Sequence, residues 1–195
     1  LYVEAIQKVG TRELEVERRY IEVQEEVQFA KPSAGIELRL LPADDFQGEE
    51  EGDYNSQVLP AQTARLENIK HFVDDLSKCR TFVFLHEIQF LIENGLVKGG
   101  DLDNAIVFVE QQPEPAVLEK LSKFFNKPDI TVTETGILNT LKLQFPNEPA
   151  RHKLLDLVGD LYLLGKPLKG KVIAKRPGHF ANTEFGKHIA EMCGF

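Results

Sequence analysis

Apolar positions along the chain switch between a period of two and a period near 3.6, and each switch marks an element. Residues 1–9 read as the end of a helix with Gly10 as its C-cap. From Leu14 to Phe29 apolar and polar residues alternate through Val16, Ile21, Val23 and Val27, which predicts one or two strands. Residues 31–35 are a turn, and IELRLL at 36–41 is the hairpin partner. Residues 43–57 (ADDFQGEEEGDYNSQ) are acidic and glycine-rich with few apolar groups, so they read as a solvated loop rather than an acidic docking surface. Leu66, Ile69, Phe72, Val73 and Leu76 predict an amphipathic helix over 66–79.

A second set of elements follows. TFVFL at 81–85 reads as a strand, His86–Glu93 as a helix ended by Gly95, and AIVFV at 105–109 as a buried strand. Together 81–109 form a compact βαβ-like insert, short for a full crossover and unusually apolar. An amphipathic helix over 113–127 and a strand region over 130–143 come next. A long helix spans about 148–164, closed by Gly165 with Pro167 beyond. KVIA at 171–174 is a strand, KRPGH at 175–179 a turn, and 182–192 the last helix.

Composition narrows the function classes. The 195 residues carry a net charge of −8, and an acidic chain gains nothing from counterion release on a phosphate backbone, so no nucleic-acid partner is expected. No run approaches the ~18 apolar residues of a transmembrane segment, and the start lacks the basic and apolar regions of a signal peptide. Cys79 and Cys193 make neither a disulfide framework nor a thiolate zinc site, which points to the reducing cytoplasm. The chain opens in mid-helix without an initiator Met, which suggests a piece of a longer protein.

Candidate chemistry concentrates in RHKLLDLVGD at 151–160. His152 and Asp156 are one helical turn apart on one face, and an imidazole with a carboxylate can reach a single zinc ion. Gly159 leaves room on that face, and Asp160 follows one turn later as an orienting acceptor. From spacing alone an ordinary His–Asp ion pair is the simpler reading of HxxxD. His179, after Pro-Gly at a strand end, reads as a general acid projecting from a tight turn or as a surface histidine. Thr81 opens an apolar strand and is either structural or a hydroxyl at a site edge. Gly99-Gly100 is not a phosphate loop, because no Lys-Ser/Thr follows.

CRTFVFLHEIQFLIENGLVKGGDLDNAIVF, RHKLLDLVGDLYLLG and the GH of KRPGH, in that order, resemble the UDP-3-O-acyl-N-acetylglucosamine deacetylases, zinc hydrolases of lipid A synthesis. The resemblance covers roughly 1–110 and 147–192. It implies an α+β fold, a two-layer α/β sandwich whose sheet carries helices on one face, plus a small βαβ insert. Residues 1–17 then correspond to the tail of a first deacetylase domain and 18–195 to the second. The insert at 81–109 corresponds to a passage for the substrate acyl chain, with Phe82 at its mouth and Gly100 letting the backbone approach the chain. Residues 111–145 match poorly and look like a lineage-specific insertion, of a kind that suits fusion to a hydroxyacyl-carrier-protein dehydratase.

The resemblance also implies residue roles. His152 and Asp156 match two of three zinc ligands, Lys153 a lysine near the substrate, Asp160 the partner of the catalytic histidine and His179 that histidine. Thr81 matches a threonine that contacts the reacting carbonyl. The third ligand and the general-base glutamate belong to the missing first domain, so this chain alone is expected to be inactive. The competing expectation is a non-catalytic binding or assembly domain of the same fold with a structural His152–Asp156 pair.

Overall fold

The computed structural model describes residues 2–10, 12, 15–97 and 101–194, with side chains from Glu4 on. In chain order the elements are α1 (Tyr2–Val9), β1 (Ile21–Glu22), β2 (Val27–Lys31), β3 (Ile36–Leu41), β4 (Phe46–Gly52), β5 (Gln62–Leu66) and α2 (Phe72–Asp75). There follow β6 (Thr81–Phe84), α3 (Leu85–Glu93), β7 (Ala105–Phe108), α4 (Pro115–Phe125), α5 (Glu148–Leu161), β8 (Leu168–Lys175) and α6 (His179–Met192). They divide into two compact units: Leu1–Gly52, Gln62–Lys78 and Ala150–Phe195 make the first, Asp53–Ala61 and Cys79–Pro149 the second.

The first unit is a mixed sheet in the order β2-β3-β8-β4-β5, with β1 pairing parallel to the start of β8. The central strand β8 runs antiparallel to β3 and parallel to β4. Side chains alternate across the pleat. One face buries Leu38, Leu40, Ala64, Leu66, Val172 and Ala174 in a core shared with Leu154, Leu157 and Leu161 of α5 and Ala181, Phe185 and Ile189 of α6. The opposite face is charged, with cross-strand pairs Glu49–Arg65 at 3.0 Å and Glu49–Lys171 at 3.2 Å. Helices therefore cover one face only, the two-layer α+β arrangement.

That alternation corrects two expectations. The acidic stretch at 43–57 is not a loop: its middle is β4, with β5 on one side and β8 on the other. Glu49 and Glu51 face outward to cationic neighbours, and Gly48, Glu50 and Gly52 face inward. Gly48 packs closely there: a Cβ would lie 2.8 Å from Leu154 Cδ1, and that side-chain end would have to shift. The expected helix over 66–79 shrinks to α2 behind a 3-10 turn at Ile69–His71, since Leu66 belongs to β5. Leu66 and Leu76 are completely buried and Phe72 and Val73 partly so, whereas Ile69 is exposed.

In the second unit β6 and β7 pair in parallel from Thr81↔Ala105 to Phe84↔Phe108, so 81–108 is a true βαβ unit despite its length. Glu87 accepts the Phe84 amide at 2.8 Å and caps the start of α3. The expected strand over 130–143 is irregular, held by isolated bridges Phe108↔Ile137 and Val132↔Leu138. Leu121, Ile130 and Leu138 pack on Leu85, Ile88, Leu102 and Val107, covering much of the insert's apolar surface. Arg80 grips the buried Glu148 through Nε at 2.8 Å and Nη2 at 2.9 Å. Burial pushes the Glu148 carboxyl up, but the Arg80 guanidinium and two backbone amides outweigh it and hold it below the usual range.

Candidate active site

Helix α5 buries its leucine stripe against the sheet, and this fixes where its polar residues face. His152 Nε2 and Asp156 Oδ2 stand 3.5 Å apart, and their side chains are 15% and 14% exposed. Asp160, one turn further, is equally sheltered at 16%. Nothing lies within 4 Å of where a Gly159 Cβ would sit, so that stretch of the helix is open.

Helix α6 supplies the second wall. His179 is its first residue, so the expected turn ends one residue earlier and the histidine sits on a helix rather than a loop. Gly178 in extended conformation precedes it as N-cap. His179 Nδ1 lies 2.9 Å from Asp160 Oδ2 and 3.2 Å from Oδ1. A carboxylate only accepts, so Nδ1 carries the proton in this pair. Nε2 then faces the other way, 3.9 Å from Asp156 Oδ2. Asp156 thus stands between two imidazoles, and His152, Asp156, Asp160 and His179 form one cluster. His179 keeps 72% of its side chain exposed, so the cluster opens to solvent on that side.

The remaining predicted residues fall elsewhere. Lys153 adjoins His152 on α5, and its charge acts on the Glu50 carboxyl. Thr81 and Phe82 lie on β6 of the second unit, where Phe82 packs edge-on to Tyr54 at 5.2 Å and to Phe108 at 6.1 Å. Gly100 lies outside the described residues. His86 stacks on Phe84 within the second unit. Among the described residues no group of three or more His, Cys, Asp or Glu could hold a metal ion, so the candidate donors are the pair His152 and Asp156. In the second unit an apolar pocket is lined by Val83, Ile88, Leu91, Leu96, Leu102 and Phe125.

Two residues escaped the sequence reading. Glu50 is fully buried on β4, and neither carboxylate oxygen has a hydrogen-bond partner among the described residues. Burial raises its pKa to about 8, against the opposing pull of Lys153. Its signal is the inward parity of Gly48-Glu50-Gly52, visible only once β4 is a strand. Asn182 is fully buried, three residues after His179, and its amide meets Asp160. The spacing HxxN, following DxxxD, was the available signal.

The sequence model of the UDP-3-O-acyl N-acetylglycosamine deacetylases matches residues 1–120 and 126–191. A bifunctional enzyme LpxC/FabZ of Bacteroides thetaiotaomicron is 40% identical over 96% of the chain and 41% of its own length. That of Chlorobaculum tepidum is 38% identical, with the same shares covered. A UDP-3-O-acyl-N-acetylglucosamine deacetylase of Anaeromyxobacter sp. is 36% identical over 96% of the chain and 54% of its own length. The chain spans about half, or less, of the length of these relatives. It belongs to the UDP-3-O-acyl N-acetylglycosamine deacetylase family.

Proposed function

We propose that the protein carrying this chain is a zinc-dependent amide hydrolase that removes the N-acetyl group of UDP-3-O-acyl-N-acetylglucosamine in lipid A synthesis, in the cytoplasm. The observation that carries the reading is the convergence of His152, Asp156, Asp160 and His179 at one open place between α5 and α6. The donor set fits zinc: an imidazole nitrogen and a carboxylate oxygen 3.5 Å apart match two ligands each about 2 Å from a tetrahedral ion. When bound, zinc would polarise the amide carbonyl and acidify the attacking water.

The chain's own residues do the rest. His152 and Asp156 would hold the ion, and a third ligand and the proton-abstracting carboxylate would come from outside these 195 residues. Water adds to the acetyl carbon, the C–N bond breaks, and the amine nitrogen needs a proton. His179, oriented through Nδ1 by Asp160, delivers it from Nε2, and as an imidazolium it stabilises the developing oxyanion. Lys153 and Thr81 contact the substrate. Residues 81–109 receive the acyl chain, with the apolar pocket supporting that assignment. Residues 1–17 are the tail of a first domain, in keeping with exposed Ile6 and Val9 on α1.

The test is acetate release from UDP-3-O-acyl-N-acetylglucosamine by the full-length protein. Asp156→Ala should abolish turnover and lower bound zinc, with folding unchanged by circular dichroism. Full turnover in Asp156→Ala would refute the assignment.

A further inference from the structure

Asp160 Oδ2 accepts two hydrogen bonds from α6, one from His179 Nδ1 at 2.9 Å and one from Asn182 Nδ2 at 2.9 Å. His179 and Asn182 are three residues apart on one helix, so they present to the same partner. The orientation of the Asn182 amide is forced, since only its NH2 can face a carboxylate. Asn182 is completely buried, and its Oδ1 has no hydrogen-bond partner among the described residues. A leucine has the same heavy-atom branching and no polar atom to strand, so apolar packing does not account for an asparagine here.

We infer that Asn182 is a positioning residue: it pins Oδ2 of Asp160 so that His179 holds its proton on Nδ1 and turns Nε2 toward the reacting side. Asp160 alone could rotate its carboxylate about the terminal side-chain torsion, which is soft. With Asn182 attached, Oδ2 has a second donor that holds the carboxylate in the orientation His179 Nδ1 meets. An exposed imidazole at the start of a helix would otherwise sample both tautomers and several rotamers. The catalytic consequence rests on the deacetylase reading above; the tautomer does not.

The test compares the full-length protein with Asn182→Leu, and with Asn182→Ser in case the leucine variant is unstable. Long-range 15N–1H spectra of the imidazoles, recorded where histidine is neutral and assigned through His179→Gln, read the tautomer without turnover. The wild type should show His179 protonated at Nδ1. Asn182→Leu should shift it toward the Nε2-protonated or averaged pattern, with Asn182→Ser in between. Turnover should fall roughly ten- to a hundred-fold in kcat with KM little changed. An unchanged His179 pattern in both variants would overturn the inference whatever the activity. A changed pattern in the variants, together with a wild-type protein that releases no acetate, would sink the deacetylase reading and leave the positioning role standing.

Discussion

At the scale of single residues, Glu50 is the most exacting test of how the site helix is seated. It lies fully buried on β4 and feels the charge of Lys153, and burial lifts its carboxyl from the ordinary 4.5 to about 8. Between those two values the unfolded chain has released the proton and the folded chain still holds it. Stability therefore falls as pH rises through that window and levels off above it. Glu50→Gln removes the ionisable group, so it should flatten the curve and gain up to a few kcal/mol above pH about 8. Parallel melting-temperature profiles for the two proteins from pH 5 to 9 would show that Glu50 ionises freely. The His152–Asp156 pairing is legible from sequence because helical spacing fixes it locally. Glu50 is not, because its burial depends on neighbouring strands far away in the chain.

At the scale of elements, hydrophobic alternation fails to mark a strand where glycines interrupt its inner face. β4 carries Gly48, Glu50 and Gly52 inward, so hydrophobic alternation is silent and the acidic outer positions dominate the pattern. β8 was read short at 171–174 because Gly170 interrupts its apolar run. Gly170 has φ of 145°, and a Cβ there would sit 2.8 Å from the Leu41 carbonyl oxygen and 2.5 Å from Leu40 Cδ1. Gly170→Ala should therefore cost about 1–3 kcal/mol, measured by denaturant unfolding. A neutral effect would mean that the hairpin edge can move aside. α5 and α6 were legible because the apolar spacing of each, leucines on α5 and Ala181, Phe185 and Ile189 on α6, is a local signal.

The βαβ insert yields a prediction at the same scale. Its pocket is ringed by Val83, Ile88, Leu91, Leu96, Leu102 and Phe125. If it receives an acyl chain, each methylene buried there contributes roughly 0.8 kcal/mol. Leu91→Trp should fill it and raise KM for long-chain substrate much more than for a truncated one, with bound zinc unchanged. Equal losses for both substrates would make the segment a core element only. The insert was recognisable from its apolar density, but not how far residues 121–138 cover it, since beyond α4 those contacts arise from irregular chain.

At the scale of the whole molecule, the chain is 96% covered by relatives of which it spans 41–54%. The chain therefore belongs to the family, and the deacetylase activity proposed for the full-length protein draws on groups beyond these residues. Two donors on α5 leave an ion short of the three protein ligands usual for catalytic zinc. His152 and Asp156 are proposed to help hold a zinc ion on which deacetylation depends. The most direct measurement is acetate release by the full-length protein after chelation, followed by graded return of zinc. Activity should be lost on chelation and recover fully near one zinc per chain, with no recovery in Asp156→Ala. Undiminished turnover by the metal-stripped protein would contradict this proposal.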